Sequence, residues 1–140
     1  MANLLVIEDE PLLGMVLEEA LREAGHHVCG IAATPAKAME LAERHRPELA
    51  IVDVRLAGNG DGVALARALV GRRPMIILYA TGDCEEVRRR ATVGEAYLPK
   101  PYKGEWVARA VDILLAADGD AAIEPPPGFR RLEFACGGRD

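Results

Sequence analysis

The 140-residue sequence predicts an α/β fold, a doubly wound five-stranded parallel sheet with helices on both faces. Short apolar runs recur at 3–7, 28–33, 49–52, 75–80 and 96–98. Such runs, rich in β-branched residues and lacking polar alternation, suit strands buried on both sides. Between them lie stretches with the 3.6-residue period of amphipathic helices. Strand and helix therefore alternate along the chain, which implies right-handed crossovers and a covered parallel sheet.

The first run, Asn3-Leu4-Leu5-Val6-Ile7, ends in Glu8-Asp9-Glu10. Pro11 then opens a helix whose apolar face is Leu13, Val16, Leu17, Ala20, Leu21 and Ala24, and Gly25 stops it. After the strand at 28–33, Thr34-Pro35 caps and opens a second helix along Ala38, Leu41 and Ala42. That helix ends before Pro47, because the residue preceding a proline is driven out of the α region. The run Leu49-Ala50-Ile51-Val52 closes in Asp53. The glycines of Ala57-Gly58-Asn59-Gly60 permit positive φ in the next loop, and Asp61 is the N-cap of a third helix through Leu65, Ala68 and Leu69, closed by Gly71.

The run at 75–80 follows Pro74 and delivers Thr81-Gly82-Asp83. Helical signal is weak over 85–91, where Arg88, Arg89 and Arg90 are consecutive and Val87 and Ala91 form the one clear apolar pair. Residues 82–95 are thus expected to be the least stable part of the domain, with a weak helix and a single turn or loop both open for this segment. The strand at 96–98 leads into Pro99-Lys100-Pro101, and the last helix places Val107, Ala110, Val111, Leu114 and Leu115 on its core face. Beside that face Trp106, Ala110, Ile113 and Ala117 form a second stripe, which is either broad burial or a partner surface, including one for a homodimer. One domain is expected over 1–117, with 118–140, which carries Pro125-Pro126-Pro127 and no periodicity, as a disordered C-terminal tail.

Half of the residues are apolar and the net charge is −5, which argues for a globular domain and against a nucleic-acid surface. No stretch approaches the length of a membrane span and the N-terminus lacks a signal pattern, so a cytoplasmic location is expected. Cys29, Cys84 and Cys136 are widely separated and outside metal-ligand spacing, and read as reduced thiols.

In open parallel sheets ligands bind outside the carboxyl ends of the strands, where strand order reverses. This puts Glu8, Asp9, Asp53, Thr81 and Lys100 on one rim. Alone, Asp53 reads first as a cap or turn residue. Four strand ends carrying complementary polar groups argue for a site instead. Converging carboxylates repel one another unless a cation neutralises them, and hard oxygen ligands select Mg²⁺. A phosphate is the natural guest, with Lys100 as a point charge and the Thr81 hydroxyl as a donor. A carboxylate nucleophile that forms an aspartyl phosphate fits this set.

On these residues the chain resembles the receiver domains of two-component response regulators over about 4–117. The resemblance implies the flavodoxin-like receiver fold and a phospho-accepting role, from a histidine kinase or phosphotransfer protein toward a downstream protein target. It matches Glu8 and Asp9 to the acidic pair, Asp53 to the phospho-acceptor, Thr81 to the hydroxyl residue, Tyr97 to the switch aromatic, and Lys100-Pro101 to a Lys-Pro pair joined by a cis peptide bond. It further implies that Asp9, Asp53 and the Arg55 carbonyl ligate Mg²⁺, that Glu8 acts through water, and that the domain assists its own phosphorylation and dephosphorylation without being an enzyme of turnover. Tyr79-Ala80-Thr81-Gly82 is similar to the Phe-Ala-Thr-Gly motif of a subset of single-domain receivers. Two features depart from the family: Gly58-Asn59-Gly60 replaces a proline-bearing loop, and the stretch from Thr81 to Lys100 is short.

Rival readings are weaker. A phosphatase of the haloacid-dehalogenase type places a second acid two residues after the nucleophile, where this chain has Arg55. Flavin phosphate would be repelled by Glu8-Asp9-Glu10. A docking-only module that retains the acidic pocket remains the serious alternative.

Overall fold

The computed structural model describes residues 2–116 and 123–134. Strand β1 (Asn3–Ile7), helix α1 (Pro11–Glu23), β2 (His27–Ala32), α2 (Pro35–His45) and β3 (Leu49–Val52) lead into a small hairpin, β4 (Arg55–Leu56) and β5 (Gly60–Asp61). Then come α3 (Gly62–Arg72), β6 (Ile76–Thr81), α4 (Cys84–Arg90), β7 (Ala96–Pro99), α5 (Gly104–Leu115) and β8 (Arg130–Arg131). The main sheet has the order β2-β1-β3-β6-β7-β8, and all pairs are parallel except β7 with β8. The chain moves outward from β1 to β2 and returns on the other side of β1 as β3. Strand order thus reverses between β1 and β3, which opens a crevice at their carboxyl ends.

The apolar runs are continuous because each strand feeds two cores. Leu5, Ile7, Ala50, Val52, Ile77 and Tyr79 face α2, α3 and α4, with Leu41, Val63, Leu69 and Val87 opposite. Leu4, Val6, Leu49, Ile51, Leu78 and Ala80 face α1 and α5, against Leu17, Leu21, Val107 and Val111.

Helix ends follow local chemistry. At the end of α1 the Gly25 and His26 amides bond back to the Arg22 and Leu21 carbonyls at 2.9 and 3.0 Å, with Gly25 at φ +93°. This pattern satisfies the last carbonyls and needs a left-handed residue. Helix α3 does not stop at Gly71 but continues to Arg72 and ends at extended Arg73, the residue before Pro74. Of the two forms open to residues 82–95 the chain takes the helix, the seven-residue α4. Asp83 caps it, and Glu85 and Glu86 in its first turn pair with Arg88, Arg89 and Arg90 in its last. Charge complementarity at i, i+3 and i, i+4 thus compensates for burial limited to Val87.

The second stripe of α5 is mostly internal. Ala110 and Ile113 are buried, while Trp106 is half-buried, with the Lys103 ammonium 5.8 Å from its ring centroid. Among the described stripe residues only Trp106 is partly open, which leaves little of the stripe for a partner or a second copy; Ala117 lies outside the described residues. Within the segment expected to be a disordered tail, residues 123–134 instead pack on the sheet. Arg130 and Arg131 pair with Tyr97 and Ala96, and Phe129 is 8% exposed. An open strand edge and one aromatic anchor explain how a segment without periodicity can dock. No helix among the described residues is long and apolar enough to cross a membrane.

Candidate functional site

Each rim residue stands at the end of a parallel strand: Glu8 and Asp9 follow β1, Asp53 follows β3, Thr81 ends β6 and Lys100 follows β7. Asp9, Asp53, Thr81 and Lys100 line a cleft of about 490 Å³ together with Glu10, Arg55, Gly82 and Asp83. Carboxylate oxygens of Glu8, Asp9 and Asp53 all lie within 4.8 Å of one another. Glu8 and Asp53 are only 3% and 5% exposed.

Lys100 meets this charge. Its Nζ lies 2.7 Å from Asp53 Oδ2, 3.2 Å from Glu8 Oε1 and 3.5 Å from Glu10 Oε2. Burial draws the Lys100 ammonium down, but the hydrogen bond and charge of Asp53, with Glu8, outweigh it and hold its pKa above the ordinary value. One ammonium does not balance the acids. Burial, then the Asp53 charge, push the Glu8 carboxyl up to about 7, against the opposing Glu10 amide and Lys100. The Tyr102 hydroxyl is buried without a hydrogen-bond partner among the described residues, and burial and the Glu8 charge raise its pKa. An all-oxygen donor set short of positive charge fits a hard divalent cation such as Mg²⁺.

The Glu8 shift has a measurable sign. Between its ordinary pKa of 4.5 and about 7 the native state keeps a proton that the unfolded chain releases, so stability falls as pH rises through that window. In metal-free buffer the parent should lose up to ~3 kcal/mol relative to Glu8→Gln from pH 4.5 to 7. Denaturant titrations across pH measure this, and parallel profiles for the two proteins would contradict it.

Thr81 is buried, and its Oγ1 accepts from the Asp83 amide at 3.1 Å, which leaves the hydroxyl proton free to donate. The Tyr97 ring is already turned inward at 8% exposure, where Arg88 donates to its hydroxyl at 3.0 Å and lies 5.7 Å from the ring centroid. Lys100-Pro101 is cis. The structure thus brings Glu8, Asp9, Asp53, Thr81 and Lys100 together, with Arg55 at the mouth and Tyr97 two residues inside β7.

Three features are not singled out by the motifs. Arg55 Nη2 bonds Asp83 Oδ2 at 2.7 Å across the mouth of the cleft. Both residues stand two positions past a site residue on the neighbouring strands β3 and β6, an offset that could have paired them. Arg90 Nη2 lies 2.6 Å from Asp61 Oδ2, so the acid that caps α3 also anchors α4, and the Arg90 hydrogen bond holds the Asp61 pKa down. Gly62 passes so close to the backbone of Asp53 that a Cβ would sit 2.0 Å from the Asp53 carbonyl oxygen.

The arrangement has known counterparts. Residues 4–112 match the response regulator receiver domain. The transcriptional regulatory protein PdtaR of Mycobacterium tuberculosis is 35% identical over 117 residues, which is 81% of this chain and 57% of that protein. The phyllosphere-induced regulator PhyR of Methylorubrum extorquens is 35% identical over 111 residues, 78% of this chain and 42% of that protein. The chain therefore spans about half the length of these curated relatives. Among solved structures, the receiver domain of Erythrobacter litoralis PhyR superposes with a TM-score of 0.72 at 29% identity, over 79% of this chain and 87% of that one. A sheet with this strand order, an acidic cleft at its switch point and a family match over most of its length make this chain a member of the response regulator receiver domain family.

Proposed function

We propose that the chain accepts a phosphoryl group on Asp53 from the phosphohistidine of a histidine kinase or phosphotransfer protein, with Mg²⁺, and signals by protein contact. The reading is carried by the contact of Lys100 Nζ with Asp53 Oδ2 at 2.7 Å, inside a cluster of Glu8, Asp9 and Asp53 short of positive charge. An Asp53 oxygen attacks phosphorus in line, forming the O–P bond as the P–N bond breaks and its electron pair leaves on the imidazole nitrogen. Asp9, Asp53 and the Arg55 carbonyl would hold the ion, with Glu8 acting through water. When bound, it neutralises the phosphoryl oxygens. Lys100 transfers its contact from the carboxylate to the new phosphoryl group, and the Thr81 hydroxyl donates to one of the phosphoryl oxygens. A helical partner that brings a histidine to the cleft would seat on the exposed apolar residues Leu12, Met15 and Val16 of α1, just past Glu10.

Incubation with a small phosphodonor and Mg²⁺, followed by peptide mass spectrometry, tests this reading. Label on Asp53 is the expected result. A chain that stays unlabelled would be a docking module that retains the pocket.

Lys100→Ala should still be labelled but should lose the conformational response, because the ammonium that reports the new charge is gone. The single tryptophan, Trp106, lies on the helix that follows Lys100, so its fluorescence should change on phosphorylation in the parent and stay constant in the variant. An equal change in both would show that the signal bypasses Lys100.

A further inference from the structure

The β7 edge of the sheet is covered by the chain's own C-terminal residues. The ladder is short: Arg130 opposite Tyr97 and Arg131 opposite Ala96, extended by the Leu132 amide on the Glu95 carbonyl at 2.9 Å. Phe129 enters the core shared with α1 and α5, while Leu132 packs on the opposite core, so the segment spans both faces of the sheet at this edge. Arg130 and Arg131 are exposed and form no ion pair among the described residues. Compared with the ladders joining β1, β3, β6 and β7, which pair four residues each, this two-residue ladder is slight.

It is also joined to the site. Gly128, at φ +82°, approaches Pro99 so closely that a Cβ would lie 2.6 Å from Pro99 Cγ. Pro99 precedes Lys100, whose amide bonds the Thr81 carbonyl at 3.0 Å and whose ammonium holds Asp53. Two residues before Pro99, Tyr97 pairs with Arg130 on one side and holds Arg88 of α4 with its hydroxyl. A new charge on Asp53 would draw Lys100 toward it and pull on the one strand to which the segment is attached. The tight fit of Gly128 against Pro99 leaves little slack to absorb such a shift.

We propose that residues 123–134 are a self-mask, a displaceable strand that covers the β7 edge and is loosened when Asp53 carries a phosphoryl group. An uncovered edge of this kind accepts an extended segment of another protein by strand addition, with an aromatic side chain in the place of Phe129. The inference rests on Asp53 being the phospho-acceptor.

Amide hydrogen exchange of the full chain with Mg²⁺, with and without beryllofluoride, tests it, while fluorine NMR of bound fluoride reports occupancy independently. Exchange at residues 130–132 should become about tenfold faster on occupancy, with residues 49–52 staying protected. Phe129→Ala should show that fast exchange without the analogue. A bound fluoride signal with unchanged or slower exchange at 130–132 overturns the self-mask and leaves the phospho-acceptor reading standing. Absence of bound fluoride overturns both, and Phe129→Ala exchanging as slowly as the parent removes Phe129 as the anchor.

Discussion

Asp53→Asn will abolish Mg²⁺-dependent labelling and leave the fold intact. The amide has the shape of the carboxylate but no nucleophilic oxygen at neutral pH, and the attack on phosphorus has no substitute. Glu8 is badly placed to take over, because it does not line the cleft that opens on Asp53; its carboxyl is held near 7 partly by the very charge that the substitution removes. The Glu8 pKa should therefore fall in the variant. Repulsion among the acids should fall with it, so the melting temperature should match or exceed that of the parent even though Lys100 loses its 2.7 Å partner. Binding of Mg²⁺ should weaken, since one candidate ligand loses its charge. Peptide mass spectrometry, thermal melts and metal titration cover the three outcomes. Stoichiometric label elsewhere on the rim would overturn the assignment of Asp53.

Gly62→Ala should be the most damaging single-methyl change on the acceptor side of the domain. The added Cβ would stand 2.0 Å from the Asp53 carbonyl oxygen and 2.8 Å from the Val54 Cα, and both are backbone atoms that cannot rotate aside. The Gly62 amide also bonds the Val54 carbonyl at 2.6 Å, so the loop cannot simply swing out without losing that bond. Overpacking of this kind costs about 3 kcal/mol or more where the neighbour is rigid. Displacement of Asp53 within the cleft, away from Asp9 and Thr81, should reduce labelling as well. Gly71→Ala is the control: it lies inside α3 with nothing within 4 Å of a new Cβ, and should stabilise by roughly 0.5–1 kcal/mol. Denaturant unfolding of the two variants measures the contrast, and a Gly62→Ala protein as stable as the parent would refute the close approach.

Much of the domain was legible because its signals are local. Apolar runs such as Leu49–Val52, buried on both faces, can be read from composition, and polar residues at their ends fall on one rim once the strands are parallel. Thr34 and Asp61 act as the caps that their positions suggest, accepting from Lys37 and from Val63 and Ala64. What escaped the sequence depends on tertiary partners. Helix α4 looked weak because its support is charge pairing within the helix and to Asp61, not an apolar stripe. Residues 123–134 carry no period because their few apolar contacts are split between the two cores, Ile123 and Phe129 on one and Leu132 on the other, around a two-residue pairing to an edge. Gly62 gives no turn signal, since what matters there is the space taken by Asp53.

Asp61 has a consequence for how receiver segments can be exchanged between proteins. It caps α3 through the Val63 and Ala64 amides while binding Arg90, and Arg55 at the start of the same hairpin binds Asp83 at the start of α4. Helix α4 is therefore tied at both ends to the stretch that immediately follows Asp53. A chimera that imports a foreign α4 alone would leave Asp61 and Arg55 without their partners, and would loosen the cap of a helix that was not exchanged. The smallest coherent module for such a graft is discontinuous, residues 55–62 together with 82–95, although 19 residues of α3 and β6 territory separate the two pieces in the chain.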